Sequence, residues 1–239
     1  MGHSAPAKSN RRTRRRLALR SGTVASVALT FHLDFISPYA YLGWRKIHDV
    51  AQRHGQTVEA VPILFAALLT AHGHKGPAEI PSKRIYTFKH VVRLADELGV
   101  PLRPPPAHPF HPLLALRTAT AAVGSERRRV VDALFDATWG GGGGVAGVDE
   151  VTRALDVAGL DGAGLVARAQ TQEVKDALRA ATDAALARGV FGVPTVWAGD
   201  EMFWGQDSFG HLERYLAGDD PAAPERIARW RDLPVGARR

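Results

Sequence analysis

Ser37-Pro38 and Val193-Pro194 are the residues of this chain whose types and settings bear most directly on chemistry. Ser37 follows a run at 29–33 apolar enough for a buried strand. Pro38 suits the first position of a helix, where its missing N–H costs nothing and its φ already fits. A hydroxyl at such a corner stands among unpaired backbone N–H groups and the positive end of the helix dipole, a setting that stabilises a thiolate, a carboxylate or a phosphate. The chain has no cysteine, which excludes disulfides, thiolate metal sites and a cysteine nucleophile. Thiol chemistry at the corner therefore requires a thiol brought in by a ligand. No His and Asp partners accompany Ser37 at a recognisable spacing, which argues against a serine nucleophile. Its plainest role is an N-cap.

The elements that must position these residues follow from periodicity. After the strand, Tyr41, Trp44, His48 and Ala51 keep helical spacing from 38 to about 54, and 57–63 alternates as a second strand. From 64 to about 188 the periods are helical. Ser82 is expected to cap a helix with Ile85, Phe88, Val92, Ala95 and Leu98 on its buried stripe, stopped by Gly99 and Pro101. The stretch 101–112 is too proline-rich for regular structure. Further helices are expected from Pro112, from Glu126 to Trp139, and after the caps Asp149, Asp161 and Thr171. Two short strands then flank Ala198-Gly199-Asp200, and Asp207 is expected to cap a last helix carrying Phe209, Leu212 and Leu216. Strand, helix, strand, helical insert, strand, strand, helix is an α/β chain of thioredoxin-like fold, βαβ then ββα with a helical domain between the halves. The expected division is a disordered basic tail at 1–26, a thioredoxin-like domain from 27–64 and 189–218, the insert at 65–188 and an extension at 219–239.

A chain of 239 residues with 45% apolar content can bury a full core. Its net charge of +7 is confined to the tail, where Lys8, Arg11, Arg12, Arg14, Arg15, Arg16 and Arg20 meet no acidic residue. The other basic and acidic residues balance, so the net charge gives no support for a nucleic-acid-binding surface on the body. The tail reads as a solvated extension, an arm touching nucleic acid or anionic lipid, or a weak twin-arginine signal interrupted by Arg20. No apolar run reaches the length of a membrane span, and a cytoplasmic protein is expected. His72 with His74, and His108 with His111, lack a carboxylate or thiol at ligand spacing, so no metal is expected.

Ser37-Pro38-Tyr39-Ala40-Tyr41-Leu42-Gly43, Phe191-Gly192-Val193-Pro194-Thr195 and Trp204-Gly205-Gln206-Asp207 together resemble the 2-hydroxychromene-2-carboxylate isomerases, within the DsbA-like and kappa-class glutathione transferase group. Gly76 through Arg84 and His108-Pro109-Phe110 add to the likeness, which runs over residues 27–216. The resemblance implies that glutathione is bound with its cysteine beside Ser37, whose hydroxyl donates to the thiolate and lowers its pKa. It implies a cis bond before Pro194, which would leave the N–H and C=O of Val193 free for an extended peptide; a trans proline opening an edge strand is the plain alternative. It implies that Asp207 meets the amino group of the γ-glutamyl end and Gln206 its carboxylate, although an Asp before a helix is common anyway.

Lys83 resembles a lysine placed to meet anionic ligand groups, with a solvated helix-face lysine as the alternative. His74 stands where related proteins carry an asparagine that contacts glutathione or substrate, and its imidazole could keep that hydrogen bond through one ring nitrogen. Tyr39 and Trp204 flank the motifs and are expected to line an aromatic substrate pocket, or else to be core. The expected activity is glutathione-dependent isomerisation of an aromatic keto-acid-like substrate. A kappa-like transferase, or a non-enzymatic thiol-peptide or partner-binding module, is the alternative. Homodimers are common in the family, but no interface is legible in the sequence.

Overall fold

The computed structural model describes residues 28–234 and 236, so the basic tail lies outside the described residues. The strands β1 (Ala28–Leu33), β2 (Thr57–Pro62), β3 (Thr195–Ala198) and β4 (Glu201–Trp204) form one sheet in the order β2-β1-β3-β4. The pair β1 and β2 is parallel and joined through α1 (Pro38–Arg53), whereas β3 runs antiparallel to both β1 and β4. This is the thioredoxin-like βαβ and ββα arrangement that the order of periods predicts. Between the halves stand α2 (Phe65–Ala71), α3 (Pro81–Leu98), α4 (Leu113–Ala121), α5 (Gly124–Trp139), α6 (Val148–Val157), α7 (Gly162–Ala169) and α8 (Gln172–Ala187). The chain closes with α9 (Phe209–Leu216) and α10 (Pro224–Arg231), the latter without a buried residue.

Alternation along β1 decides which face carries which layer. Leu29, Phe31 and Leu33 are fully buried on one side, where Phe31 meets Trp44 of α1 edge to face with ring centroids 5.4 Å apart. His32 points to the other side, where Ile63, Leu68, Ala185, Val190 and Trp197 form a second cluster under α2 and α8. The insert joins the body through α1. Trp44 Nε1 donates to Asp132 of α5 at 2.6 Å, and the Tyr41 hydroxyl donates to the Pro101 carbonyl at 2.6 Å.

Asp161 and Thr171 cap α7 and α8 as the sequence predicts, accepting from the N–H groups of Gly164 and Val174. Three other caps differ. Proline occupies the first position of α3, so Ser82 already lies inside the helix and Ile80 holds the cap position. Asp149 sits in the first turn of α6 behind the cap Gly147, where its charge still complements the dipole. Asp207 belongs to a 3₁₀ turn, Gln206–Ser208, and Ser208 precedes α9 instead. The buried stripe of α3 also differs. Val91 and Ala95 are buried, but Ile85 and Val92 are 58% and 59% exposed, because α3 leans on the body along one narrow line as a wall rather than a core helix.

Candidate active site

Ser37 is buried at the start of α1, in extended conformation, with its Oγ accepting from Ala40 N at 3.1 Å. The same oxygen donates to the Val193 carbonyl at 3.3 Å, 156 residues away. The Val193-Pro194 bond is cis, in keeping with the sequence expectation. The expectation that both polar groups of Val193 stand free is corrected in one respect. Its carbonyl is taken by Ser37, while its N–H makes no backbone hydrogen bond among the described residues. Gly43 explains how the loop comes so near the helix: a Cβ there would lie 3.2 Å from Cγ of Pro194. The Pro194 carbonyl accepts from Gly205 N at 2.9 Å, which ties the segment Trp204-Gly205-Gln206-Asp207 to the same corner.

The backbone ahead of Ser37 is held by a set of buried donors and acceptors. Asp34 Oδ1 accepts from Ile36 N at 3.0 Å, its Oδ2 from Phe65 N at 2.9 Å, and its main-chain oxygen from Ser37 N at 3.1 Å. Burial pushes the Asp34 carboxyl up to about 7, although both N–H bonds favour its anion. Trp139, the last residue of α5, donates its indole N–H to the Phe35 carbonyl at 2.8 Å. His108 places Nε2 at 3.0 Å from the Ile36 carbonyl. One carboxylate and two ring nitrogens, two of these three side chains from the insert, thus fix the strand-to-helix turn.

A cleft of about 1560 Å³ opens over this corner, and all nine residues singled out in the sequence line it. Ser37, Val193 and Pro194 form the floor, buried, with Gln206 beside them at 4% exposure. Asp207 and Trp204 are exposed at one edge, where Phe191 packs edge to face on Trp204 at 5.1 Å. Gly192 between them must lack a side chain, since a Cβ would come within 2.5 Å of the indole nitrogen of Trp204. Across the cleft stand His74 after α2 and Lys83 in the first turn of α3, both exposed. Tyr39 bridges floor and wall, its hydroxyl 2.9 Å from His90 Nδ1 of α3. Burial raises the phenol pKa of Tyr39, so it stays protonated.

Lys75, Lys83 and Arg84 give this wall a positive cast, with Glu79 and Asp207 the exposed acids on the rim. Glu79 is partly spent on Gly76 N at 2.6 Å. Neither Lys83 nor Arg84 enters an ion pair among the described residues. The arrangement can therefore hold an extended ligand against the floor and an anionic group against the wall. Sequence reasoning gave no site role to Asp34, Arg84, His90, His108 or Trp139. Asp34 carried a usable signal, an acid directly after an apolar strand; the others act across separations of 24 to 104 residues that no spacing reveals.

The fold and the cleft define a class. The chain belongs to the family described as the DsbA-like thioredoxin domain, whose model matches residues 28–217. Within that class it is 31% identical over 191 residues to 2-hydroxychromene-2-carboxylate isomerase of Sphingobium xenophagum, covering 79% of this chain and 97% of that protein. It is 26% identical to glutathione S-transferase kappa 1 of Rattus norvegicus over 84% of this chain and 96% of the relative. A solved 2-hydroxychromene-2-carboxylate isomerase superposes with a TM-score of 0.72 at 25% identity, over 85% of this chain and 97% of the other. No helix among the described residues is long and apolar enough to cross a membrane.

Proposed function

We propose that the protein is a glutathione-dependent isomerase of the 2-hydroxychromene-2-carboxylate type, acting on a small aromatic keto-acid-like substrate. The observation that carries this reading is the Ser37 hydroxyl, buried at a helix start and 3.3 Å from the carbonyl before a cis proline, in a chain with no thiol of its own. The cradle suits a thiol-bearing peptide. Among the described residues, Val193 offers an unpaired N–H and a carbonyl held only by a long bond from Ser37.

Ser37 has one hydroxyl proton. A ligand N–H that takes over the Val193 carbonyl releases that proton to turn toward sulfur, so binding and thiolate stabilisation are one exchange. The helix start adds its N–H groups and dipole to the anion. Gln206 and Asp207 are assigned the carboxylate and amino group of the γ-glutamyl end. Lys83 and His74 are assigned the substrate's carboxylate side, while Tyr39 and Trp204 cover its ring. When bound, glutathione supplies a thiol that adds reversibly to a conjugated carbon and lets the former double bond rotate. The reaction belongs in the cytoplasm, where thiols are kept reduced.

A coupled assay of 2-hydroxychromene-2-carboxylate with and without glutathione tests the reading. Interconversion that needs the thiol and falls in Ser37→Ala supports it; equal turnover without thiol rejects it. The matches to kappa-class transferases favour a second outcome at the same site, conjugation of an electrophile, and a stable thioether product would select it.

A further inference from the structure

We infer that His108 is a positioning residue for the thiol-binding corner: its ring N–H holds the Ile36 carbonyl and so fixes the peptide that presents Ser37. The inference rests on the glutathione reading above and adds to it a residue from the insert. His108 lies on the irregular stretch between α3 and α4, 72 residues from Ile36, with Nε2 at 3.0 Å from the carbonyl oxygen. A carbonyl only accepts, so Nε2 carries the proton and the neutral ring keeps its lone pair on Nδ1. Nδ1 is buried and has no partner among the described residues. A second proton there would be buried without an acceptor, and burial, with Arg84 nearby, holds the ring pKa below its ordinary value.

The ring is fixed on both sides. Phe88 meets it edge to face at 5.4 Å and Trp139 lies at 5.5 Å, while the Arg84 guanidinium donates to its main-chain oxygen at 3.0 Å. Neighbouring polar groups are engaged elsewhere: the N–H groups of Ile36 and Ser37 by Asp34, and the Phe35 carbonyl by Trp139. The Ile36 carbonyl is the remaining carbonyl of the turn, and His108 is its donor. Without that bond an unsatisfied oxygen, with its negative dipole end, would stand directly beside a pocket that must hold an anion. A phenyl ring would fill the same space and leave the carbonyl free, so hydrogen bonding and packing can be separated.

Wild type, His108→Phe and His108→Gln are titrated with glutathione, the ultraviolet absorbance of the thiolate giving the bound thiol's pKa. His108→Phe is expected to lower the thiolate fraction near neutrality about fivefold, the effect of one lost neutral hydrogen bond. His108→Gln, whose amide N–H reaches as far, is expected to restore it. Thermal melts of both variants report packing separately. A thiol pKa equal in wild type and His108→Phe overturns the inference alone. A wild-type chain that binds no glutathione overturns the functional reading and the inference with it. A long-range proton–nitrogen spectrum of the ligand-free wild type is expected to show the Nε2–H tautomer at neutral pH. The Nδ1–H form or an imidazolium would overturn the assignment however the variants fold.

Discussion

The floor and the wall of the cleft are built on opposite principles. At the floor, Asp34, Ser37, Trp139, His108 and Val193 take part in hydrogen bonds between groups that are far apart in sequence and largely out of contact with water. At the wall, His74, Lys75, Lys83 and Arg84 are exposed, and none of them is paired with a carboxylate among the described residues. Buried hydrogen bonds fix geometry, because breaking one leaves its partner unsatisfied. Exposed cations fix little and attract whatever anion arrives. Under the proposed function, the floor prepares a thiol and the wall selects what that thiol meets.

The comparison breaks most visibly at Ser37. Ser37→Ala is expected to lower kcat/KM by about 100-fold, the usual loss for one donor aimed at a developing anion. Glutathione affinity, measured by calorimetry, should change far less, since Val193 still pairs with the peptide. Equal losses in affinity and turnover would make Ser37 a binding group only.

Trp139→Phe strikes the floor from behind. It leaves the buried Phe35 carbonyl without its indole donor, so urea unfolding should show about 1–3 kcal/mol of lost stability. Lys83→Gln is the matching change at the wall. It is expected to leave the urea midpoint unchanged and to raise KM for an anionic substrate several-fold, about 1 kcal/mol for one exposed charge. That increase should shrink in high salt. A stability loss in Lys83→Gln, or none in Trp139→Phe, would invert the distinction between the two regions.

Acid sharpens it further. Burial lowers His32 and His48 to about 4 each and raises Asp34 to about 7. The unfolded histidines bind protons below their ordinary value of 6.5 and the folded ones do not, so stability is lost as pH falls from 6.5 toward 4. Asp34 acts the other way: its folded form takes a proton near 7 and its unfolded form only near 3.8, which favours the folded state over that same range. Two histidines outweigh one carboxyl, so urea midpoints should fall between pH 6.5 and 4.5, and more steeply in Asp34→Asn. A flat profile would mean that the buried polar groups are not held in the charge states their surroundings impose.

Local chemistry made the floor's two ends legible in the sequence. Pro38 after an apolar strand marked the helix start, and Val193-Pro194 before a β-branched pair marked the facing loop. What joins the ends was not legible, because a hydrogen bond between Trp139 and Phe35 or His108 and Ile36 leaves no periodic trace. The caps show the same limit at short range. Asp161 and Thr171 were readable because nothing competes for those helix starts, whereas Pro81 moves the cap of α3 back from Ser82 to Ile80 and Ser208 takes the place of Asp207. The stripe of α3 misled for a different reason. Ile85 and Val92 follow helical spacing, yet a helix that serves as a wall buries only one edge of its apolar face.

A crystal structure of the full chain with glutathione tests the central claim most directly. Sulfur is expected within hydrogen-bond distance of Ser37 Oγ, with that hydroxyl turned away from the Val193 carbonyl and the ligand's cysteine N–H in its place. Glutathione bound elsewhere in the cleft, with Ser37 still donating to Val193, would contradict it.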